Sequence, residues 1–325
     1  TISYEKALLI DPNDADTLNN IGITLMNSER LEEAIKSYEK AIKLKPEYAD
    51  AYNNLSIAFM KLKQLDEALK LNKKALSLKL DFAEGYAIQG RIFSELKQFN
   101  EALVSFEKAN LINPDLAYNL GSILSTKMDL CDWKDLTNLL DKLKNKINNN
   151  QKAIIPFNLL GLIDDPKLQK KAAEIYANDN FPESHALPKL KPYQKHTKIR
   201  VGYFSADFKM HPVATLTAEL YETHDRAQFE IHAFSFGPDT NDEMNLRIKA
   251  GVDHFHEVRS KSDQDIALLA RSLEIDIAID LGGYTADSRT GIFAMRAAPI
   301  QVNYLGYPGT MGAKYMDYII ADQTL

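Results

Sequence analysis

The chain has 325 residues and a mass of 36.7 kDa, which is enough for about two domains. It is 45% hydrophobic and 26% charged, the composition of an ordinary globular protein. A net charge of -6 without a Lys/Arg block argues against a nucleic-acid-binding or anionic-membrane surface. The single cysteine, Cys131, excludes an internal disulfide and fits a reducing compartment, so we expect a cytoplasmic location.

The first third of the chain repeats itself every 34 residues. This period is typical of tetratricopeptide repeats, in which each unit is a pair of antiparallel helices and stacked units form a solenoid with a concave surface. We predict a repeat domain over residues 1–126, with full units at about 15–48, 49–82 and 83–116. The positions that recur in phase are the alanines Ala7, Ala41, Ala75 and Ala109 and the small residues Gly22, Ser56 and Gly90.

Three asparagines precede the small residue of their unit by two positions: Asn20, Asn54 and Asn119. A row of amides along a concave groove would hydrogen-bond the backbone of an extended acceptor protein whatever its sequence. Ile88 interrupts the row in the third unit, and an equally open interpretation is that these are solvated helix residues. The repeats therefore predict a protein partner without identifying it.

Residues 127–197 lose the period, and we interpret them as a helical and proline-rich connector. Trp133 and Cys131 are expected to be packing residues. The connector is predicted to contain a polar loop at 145–152, helical segments at 154–163 and 168–176, and an extended, proline-interrupted segment at 181–193.

Beyond residue 198 the pattern changes to short apolar runs that alternate with amphipathic segments. This alternation predicts a Rossmann-like, doubly wound parallel sheet over residues 198–325, so that the fold class of the chain is α + α/β. In such sheets the ligand lies beyond the carboxyl ends of the strands. Strands are predicted at 199–205, 229–236, 254–258, 275–281, 300–305 and 318–321, and helices at 214–222, 243–250 and 263–273.

Polar and glycine-rich stretches follow the first, fourth and fifth predicted strands, at 205–212, 282–285 and 306–310. Glycines let a backbone approach a ligand closely and leave amides free for phosphate or sugar oxygens. The sequence holds neither a P-loop motif nor a G-x-G-x-x-G motif. His254 and His256 share one face of a strand; a metal pair and a structural role are both open, the structural role is favoured, and no metal site is predicted.

At these loops the chain resembles a known family. The stretches R-V-G-Y-F-S-A-D-F-x-x-H-P, G-G-Y-T and L-G-Y-P-G-T look like the start of the catalytic region of O-linked N-acetylglucosamine transferases and their SPINDLY-type relatives. The resemblance implies that 198–325 is the first lobe of a two-lobed GT-B fold. It also implies transfer of N-acetylglucosamine from UDP-N-acetylglucosamine to Ser/Thr of acceptor proteins held by the repeats, with no metal or other cofactor.

The family's site residues are carried over only where the motifs match. The aspartate in that motif is a proposed base or proton relay, and an Asp/His pair at this spacing suits proton transfer from a hydroxyl. Around Pro156 the chain lacks a histidine that the animal enzymes have, so its role does not transfer. The matched positions are His211 and Asp207 at the reaction centre, Leu305, Gly306 and Pro308 beside the donor sugar, and Tyr284 and Thr285 near the acceptor.

Several alternatives stay open from the sequence. A SPINDLY-type relative would use GDP-fucose, another relative a different UDP-sugar, and a non-catalytic repeat scaffold would use neither. Both ends of the sequence resemble cuts, so we expect a fragment that stops before the second lobe. Because the family's diphosphate-binding groups lie in that lobe, the fragment alone is expected to be inactive.

Overall fold

The computed structural model describes residues 13–28, 30–193 and 196–323. The chain divides into two compact units, Thr1–Asn145 and Lys146–Leu325. The predicted connector is therefore shared between them, and its second part belongs to the unit that contains the sheet. Ala7, the first alanine of the repeat period, lies outside the described residues.

Helices account for nearly all of the described part of the first unit, and consecutive helices pack as pairs. Each predicted full repeat contains one such pair, joined to the next pair by a short turn. The helices are α1 (Ala15–Asn27), α2 (Leu31–Leu44), α3 (Ala49–Lys61), α4 (Leu65–Leu78), α5 (Ala83–Glu95), α6 (Phe99–Ile112), α7 (Asn119–Asp129) and α8 (Leu136–Asn148), the last of which continues into the second unit.

The small residues of the repeats are required by the side chain opposite. A β-carbon on Gly22 would lie 2.5 Å from the ring of Tyr38, and one on Gly90 would lie 2.6 Å from the ring of Phe106. In the middle unit the corresponding pair is Ser56 with Asn72 (fully buried), and the Asn72 amide donates to the Gly85 carbonyl of the next unit at 2.9 Å. Close helix packing is therefore obtained with an aromatic ring in the first and last full units and with an amide in the middle unit.

Two predictions for the connector are wrong. The loop predicted at 145–152 begins inside α8, because Leu143 and Ile147, one helical turn apart, are both buried and continue its apolar face. Trp133 is 58% exposed and Cys131 is exposed, so neither is a packing residue. Both follow the end of α7, where Cys131 adopts a left-handed backbone conformation and the chain turns.

The second unit alternates strands and helices after two initial helices. The predicted helix at 154–163 is shortened to five residues, because the extended residues before Pro156 leave the helix to begin there. The elements are α9 (Pro156–Leu160), α10 (Pro166–Asn180), β1 (Ile199–Ser205), α11 (Pro212–Thr223), β2 (Phe229–Ser235), α12 (Glu243–Gly251), β3 (His254–Glu257), α13 (Asp263–Ser272), β4 (Ile277–Asp280), α14 (Gly291–Ala294), β5 (Ile300–Tyr304) and β6 (Tyr318–Ile320).

The six strands in the described part of the unit form one parallel sheet in the order β3-β2-β1-β4-β5-β6. Helices α13 and α14 pack on one face of the sheet and α11 and α12 on the other. The strand order reverses between β1 and β4, and a crevice opens at the carboxyl ends of such neighbours. Among the described helices of the chain, none has both the length and the apolar character that crossing a bilayer requires.

Helix α10 packs against the loops that follow β4 and β5. The ring of Tyr176 meets Tyr284 edge-on with centroids 4.9 Å apart, and a β-carbon on Gly312 would lie 2.5 Å from the backbone nitrogen of Glu174. The extended residues after the helix continue this packing, since Tyr315 donates to the Phe181 carbonyl at 3.0 Å. This part of the predicted connector is therefore a structural layer beneath the sheet's loops.

Candidate functional site

The carboxyl ends of β1, β4 and β5 lie side by side. Phe204 is the register partner of Asp280, and Asp280 is the register partner of Asn303. With neighbouring strands about 4.8 Å apart, the loops after β1 and β5 leave the sheet within roughly 10 Å of each other. The structure thus brings three of the predicted site loops to one edge.

The loop after β1 carries Asp207 and His211 as close neighbours. The backbone N–H of Asp207 donates to Ser205 Oγ at 2.9 Å, which fixes the start of the loop. Asp207 Oδ2 lies 3.7 Å from His211 Nδ1, and Lys209 Nζ lies 3.8 Å from the other carboxylate oxygen. The carboxylate therefore stands between two cationic or potentially cationic groups at the sheet edge.

His211 is also the N-cap of α11. Its backbone is extended, as expected for a residue before proline, and its Nδ1 accepts the backbone N–H of Val213 at 3.3 Å. Because Nδ1 is an acceptor, the neutral ring carries its proton on Nε2. The side chain is 38% exposed, so Nε2–H is available to donate to a ligand oxygen.

Asp242, the N-cap of α12, and Asn245, in its first turn, hold this loop in place, and the sequence analysis missed both. The Asn245 amide donates to the Phe208 carbonyl at 2.7 Å, and Asp242 Oδ2 accepts the Met210 N–H at 2.8 Å. The Thr240 hydroxyl, with the N–H groups of Asn245 and Met210, holds the pKa of Asp242 below its ordinary value. The available signal was the helix-start spacing of Asp242 and Asn245, three residues apart.

The loop after β4 is anchored by a buried carboxylate. Asp280 Oδ1 accepts the N–H groups of Gly282 and Gly283 at 2.9 and 3.1 Å. Burial raises the pKa of Asp280 to about 6, although these two hydrogen bonds oppose the shift. Thr285 is half-buried and its hydroxyl donates to the Gly282 carbonyl at 2.8 Å, so its oxygen can still accept a hydrogen bond from a ligand.

Tyr284 does not suit the predicted acceptor-binding role. Only 6% of the residue is exposed, and its hydroxyl donates to the Met311 carbonyl at 2.7 Å. Its ring lies between Tyr176 and Phe181, with the Tyr307 ring 5.4 Å away. The physical reason is that α10 covers this side of the loop, so the ring packs inward and supports the neighbouring Thr285.

The loop after β5 holds the three residues predicted to lie beside the donor sugar. Leu305 has φ +69°, a left-handed conformation that is uncommon for a residue with a β-carbon. Leu305 and Gly306 are half-buried and Pro308 is exposed, so the loop presents both backbone and ring surface. Beside it, a cavity of about 320 Å³ is lined in part by Asn303, Thr310 and Lys314.

The three asparagines of the repeats do not form the predicted row. Asn20 is exposed, and Asn54 is half-buried with its amide donating to Asn19 Oδ1 at 2.9 Å. Asn119 is buried and donates to the Phe106 carbonyl at 3.0 Å, so its acceptor-binding role is wrong. Its helix begins at Asn119 itself, which turns this amide toward the preceding unit.

Comparisons with known proteins agree with this architecture. The profile of glycosyl transferase family 41 matches residues 175–325, and tetratricopeptide-repeat profiles match 3–36, 24–63, 49–79 and 83–116. The fold and the site therefore define a class of protein: a repeat-containing glycosyltransferase with a Rossmann-like lobe whose polar loops lie at the carboxyl edge of the sheet. Residues 175–325 thus form a glycosyl transferase family 41 domain, and the chain as a whole is similar to tetratricopeptide-repeat-containing O-GlcNAc transferases.

Individual relatives match parts of the chain. A probable UDP-N-acetylglucosamine–peptide N-acetylglucosaminyltransferase SEC of Arabidopsis thaliana is 31% identical over 217 residues, covering 62% of this chain and 22% of that protein. A UDP-N-acetylglucosamine–peptide N-acetylglucosaminyltransferase of Caenorhabditis elegans is 39% identical over 132 residues, covering 40% and 11%. A probable enzyme of the same kind, SPINDLY of Oryza sativa subsp. japonica, is 32% identical over 126 residues, covering 38% and 14%.

Among solved structures, a mutant O-GlcNAc transferase of Thermobaculum terrenum has the same fold, with a TM-score of 0.54 at 21% identity. The match covers 95% of this chain and 54% of that one. The chain spans about a fifth of the length of the Arabidopsis relative.

Proposed function

We propose that the protein carrying this chain transfers N-acetylglucosamine from UDP-N-acetylglucosamine to Ser or Thr hydroxyls of other proteins. The observation that carries the proposal is the meeting of the Asp207–His211 pair with the loops after β4 and β5 at the switch point of the sheet. The family 41 domain supplies the reaction class, and the names of the relatives supply the donor and the acceptor.

In the proposed reaction the acceptor hydroxyl oxygen bonds to the anomeric carbon, the bond from that carbon to the diphosphate breaks, and the hydroxyl proton must leave. His211 Nε2–H donates to a sugar or phosphate oxygen, and the Asp207 carboxylate receives or relays the hydroxyl proton. Leu305, Gly306 and Pro308 contact the donor sugar, and Thr285 contacts the acceptor. No metal or other cofactor takes part.

The repeats are proposed to bind the acceptor protein. Of the three predicted asparagines, Asn20 and Asn54 retain this role, because at least part of each side chain reaches the surface. We place the reaction in the cytoplasm, since one exposed cysteine suits a reducing compartment.

The test is an assay of the natural protein that contains these residues, with Ser/Thr-rich protein acceptors and labelled UDP-N-acetylglucosamine or GDP-fucose. We expect label to pass from UDP-N-acetylglucosamine and Asp207→Asn to reduce transfer strongly. His185→Gln, at an exposed histidine outside the predicted site stretches 205–212, 282–285 and 305–310, is the control and should leave transfer unchanged. Transfer only from GDP-fucose would replace the donor, and transfer from neither sugar nucleotide would favour a non-catalytic scaffold.

A further inference from the structure

Three potential metal ligands meet on β2 and β3. Glu230 and His232 share one face of β2, and His232 is the register partner of His254 on β3. Glu230 Oε1 lies 2.9 Å from His254 Nε2 and 3.5 Å from His232 Nε2, and one ligand atom from each of the three residues lies within 4.8 Å of the others. Tetrahedral zinc with bonds of about 2.0–2.1 Å places its ligand atoms about 3.3 Å apart.

His232 has an unused acceptor at this point. Its side chain is 3% exposed, and its Nε2 makes no hydrogen bond with any described atom. A buried polar atom without a partner is costly, and a bound cation would remove that cost. The cluster therefore contains a buried, unpaired nitrogen that a bound cation could satisfy, in addition to the groups at its surface.

A neighbouring ring orients His232 as a ligand. His232 Nδ1 lies 3.1 Å from His256 Nε2 in a hydrogen bond. When Nδ1–H donates to His256, the free lone pair of His232 lies on Nε2, which faces Glu230. Metal-binding histidines are commonly fixed by such an outer hydrogen bond.

Glu230 is positioned in a similar way. Its Oε2 accepts from Arg200 Nε at 3.3 Å, which leaves Oε1 directed at the two histidines. The charge of Arg200 is shared with Glu274, 3.4 Å away, so it opposes a bound cation less than an unpaired guanidinium would. His254 is 48% exposed, which gives an ion access to the cluster and leaves room for a water ligand.

We propose that Glu230, His232 and His254 bind one divalent transition-metal ion of the zinc type, with His256 as the outer partner of His232. Two imidazoles and a carboxylate suit zinc, copper and nickel better than magnesium or calcium. The ion lies on the strands themselves and not in the loops after them, so it takes no part in sugar transfer. It would join β3, which is an edge strand, to β2.

The site is tested by calorimetric titration of the untagged 325-residue chain, freed of metal, with Zn²⁺. We expect one saturable site and a rise in melting temperature with Zn²⁺, because an ion that binds the folded state stabilises it. His254→Gln and Glu230→Gln should abolish both effects. His256→Phe should weaken binding by about 10- to 100-fold, as loss of an outer partner does.

Two controls separate this site from others. His185→Gln should bind Zn²⁺ like the unmodified chain, and Cys131→Ser should do the same. Melting without metal shows that His254→Gln still folds. The proposal would be overturned if the unmodified chain had no saturable Zn²⁺ site, or if the His254→Gln and Glu230→Gln variants bound Zn²⁺ as tightly as the unmodified chain.

Discussion

Asp280 on β4 and Asn303 on β5 are register partners, and each buries one side-chain oxygen that has no hydrogen-bond partner among the described atoms. These oxygens, Asp280 Oδ2 and Asn303 Oδ1, lie where the loops after the two strands begin. Because burial raises the pKa of Asp280 to about 6, the protein carries a buried negative charge at neutral pH and loses it in mild acid.

This charge predicts an unusual pH dependence of stability. The folded state holds the Asp280 proton more tightly than the unfolded state does. Proton binding at Asp280 therefore adds most to the free energy of unfolding below pH 4, and this contribution is lost as the pH rises through about 6. A shift from 3.8 to about 6 corresponds to roughly 3 kcal/mol. Asp280→Asn keeps an acceptor for Gly282 and Gly283 but cannot ionise. Its free energy of unfolding, relative to that of the unmodified chain, should therefore rise by about 3 kcal/mol between pH 4 and pH 7.

Calorimetry of both proteins across this pH range measures the difference directly, and the other titrating groups cancel in the comparison. Asp287→Asn, at an exposed aspartate of the same unit, is the control for loss of a carboxylate. If the gap between Asp280→Asn and the unmodified chain stays constant with pH, the buried charge is not the cause.

A second prediction concerns Gly306. A β-carbon there would lie 1.9 Å from the carbonyl oxygen of Leu281, which is backbone and cannot turn away. Gly306→Ala should therefore displace the loop after β5, with a cost of about 1–3 kcal/mol as in other overpacked sites. Sugar transfer by the natural protein should fall as the loop moves. Gly251→Ala should cost little, because its nearest neighbour would be the flexible Glu222 side chain, at 3.3 Å, and the nearest backbone atom would lie 3.9 Å away.

Thermal melting of both variants and a transfer assay check this prediction. Normal melting and normal transfer in Gly306→Ala would show that the loops after β4 and β5 can move apart without loss of stability or activity.

A third prediction separates two asparagines of the repeats. Asn119→Ala removes the donor to the Phe106 carbonyl and should destabilise the first unit by about 1–3 kcal/mol. Asn20→Ala, at an exposed position, should change stability by less than about 0.5 kcal/mol and reduce acceptor binding. Helical circular dichroism follows the melting of both variants, because the described part of this unit consists almost entirely of helices. Equal melting of the two variants would contradict the different environments of the two amides.

A fourth prediction concerns His211 in the natural protein. His211→Ala should cut turnover by about 10²- to 10⁴-fold, the range for a positioned acid–base group. It should also lower stability by about 1 kcal/mol, because the ring caps α11. His211→Asn can restore the cap through its side-chain oxygen but not the Nε2–H donor. We therefore expect it to recover the melting temperature without the turnover, and recovery of both would assign His211 a structural role only.

Local sequence patterns predicted the strands and most of the helices of the second unit. Short apolar runs such as 229–236 are followed by turn residues that mark where the strand ends. The predicted strand bounds therefore agree with the observed ones within about two residues. The loop after β1 was also predictable, since a histidine before Pro212 at a helix start must be extended and exposed enough to cap.

Other features depend on contacts between distant segments. Nothing local to Tyr284 shows that α10 covers it, because Tyr176 lies more than a hundred residues earlier in the chain. The inward direction of Asn119 follows from the left-handed Tyr118 before it, a conformation that the sequence does not announce. Likewise, His232 gave no signal by itself; it gains its place beside His254 only when β2 and β3 pair.

The amide of Asn72 has a consequence for how such an array can change by recombination. Tyr38 and Phe106 each pack on a glycine of their own repeat, so this close contact is made within one repeat. Asn72 instead donates to the Gly85 carbonyl of the following repeat. After a gene duplication or exchange that separated residues 49–82 from 83–116, the Asn72 amide would stay paired only if the new neighbour placed a backbone carbonyl at the same point.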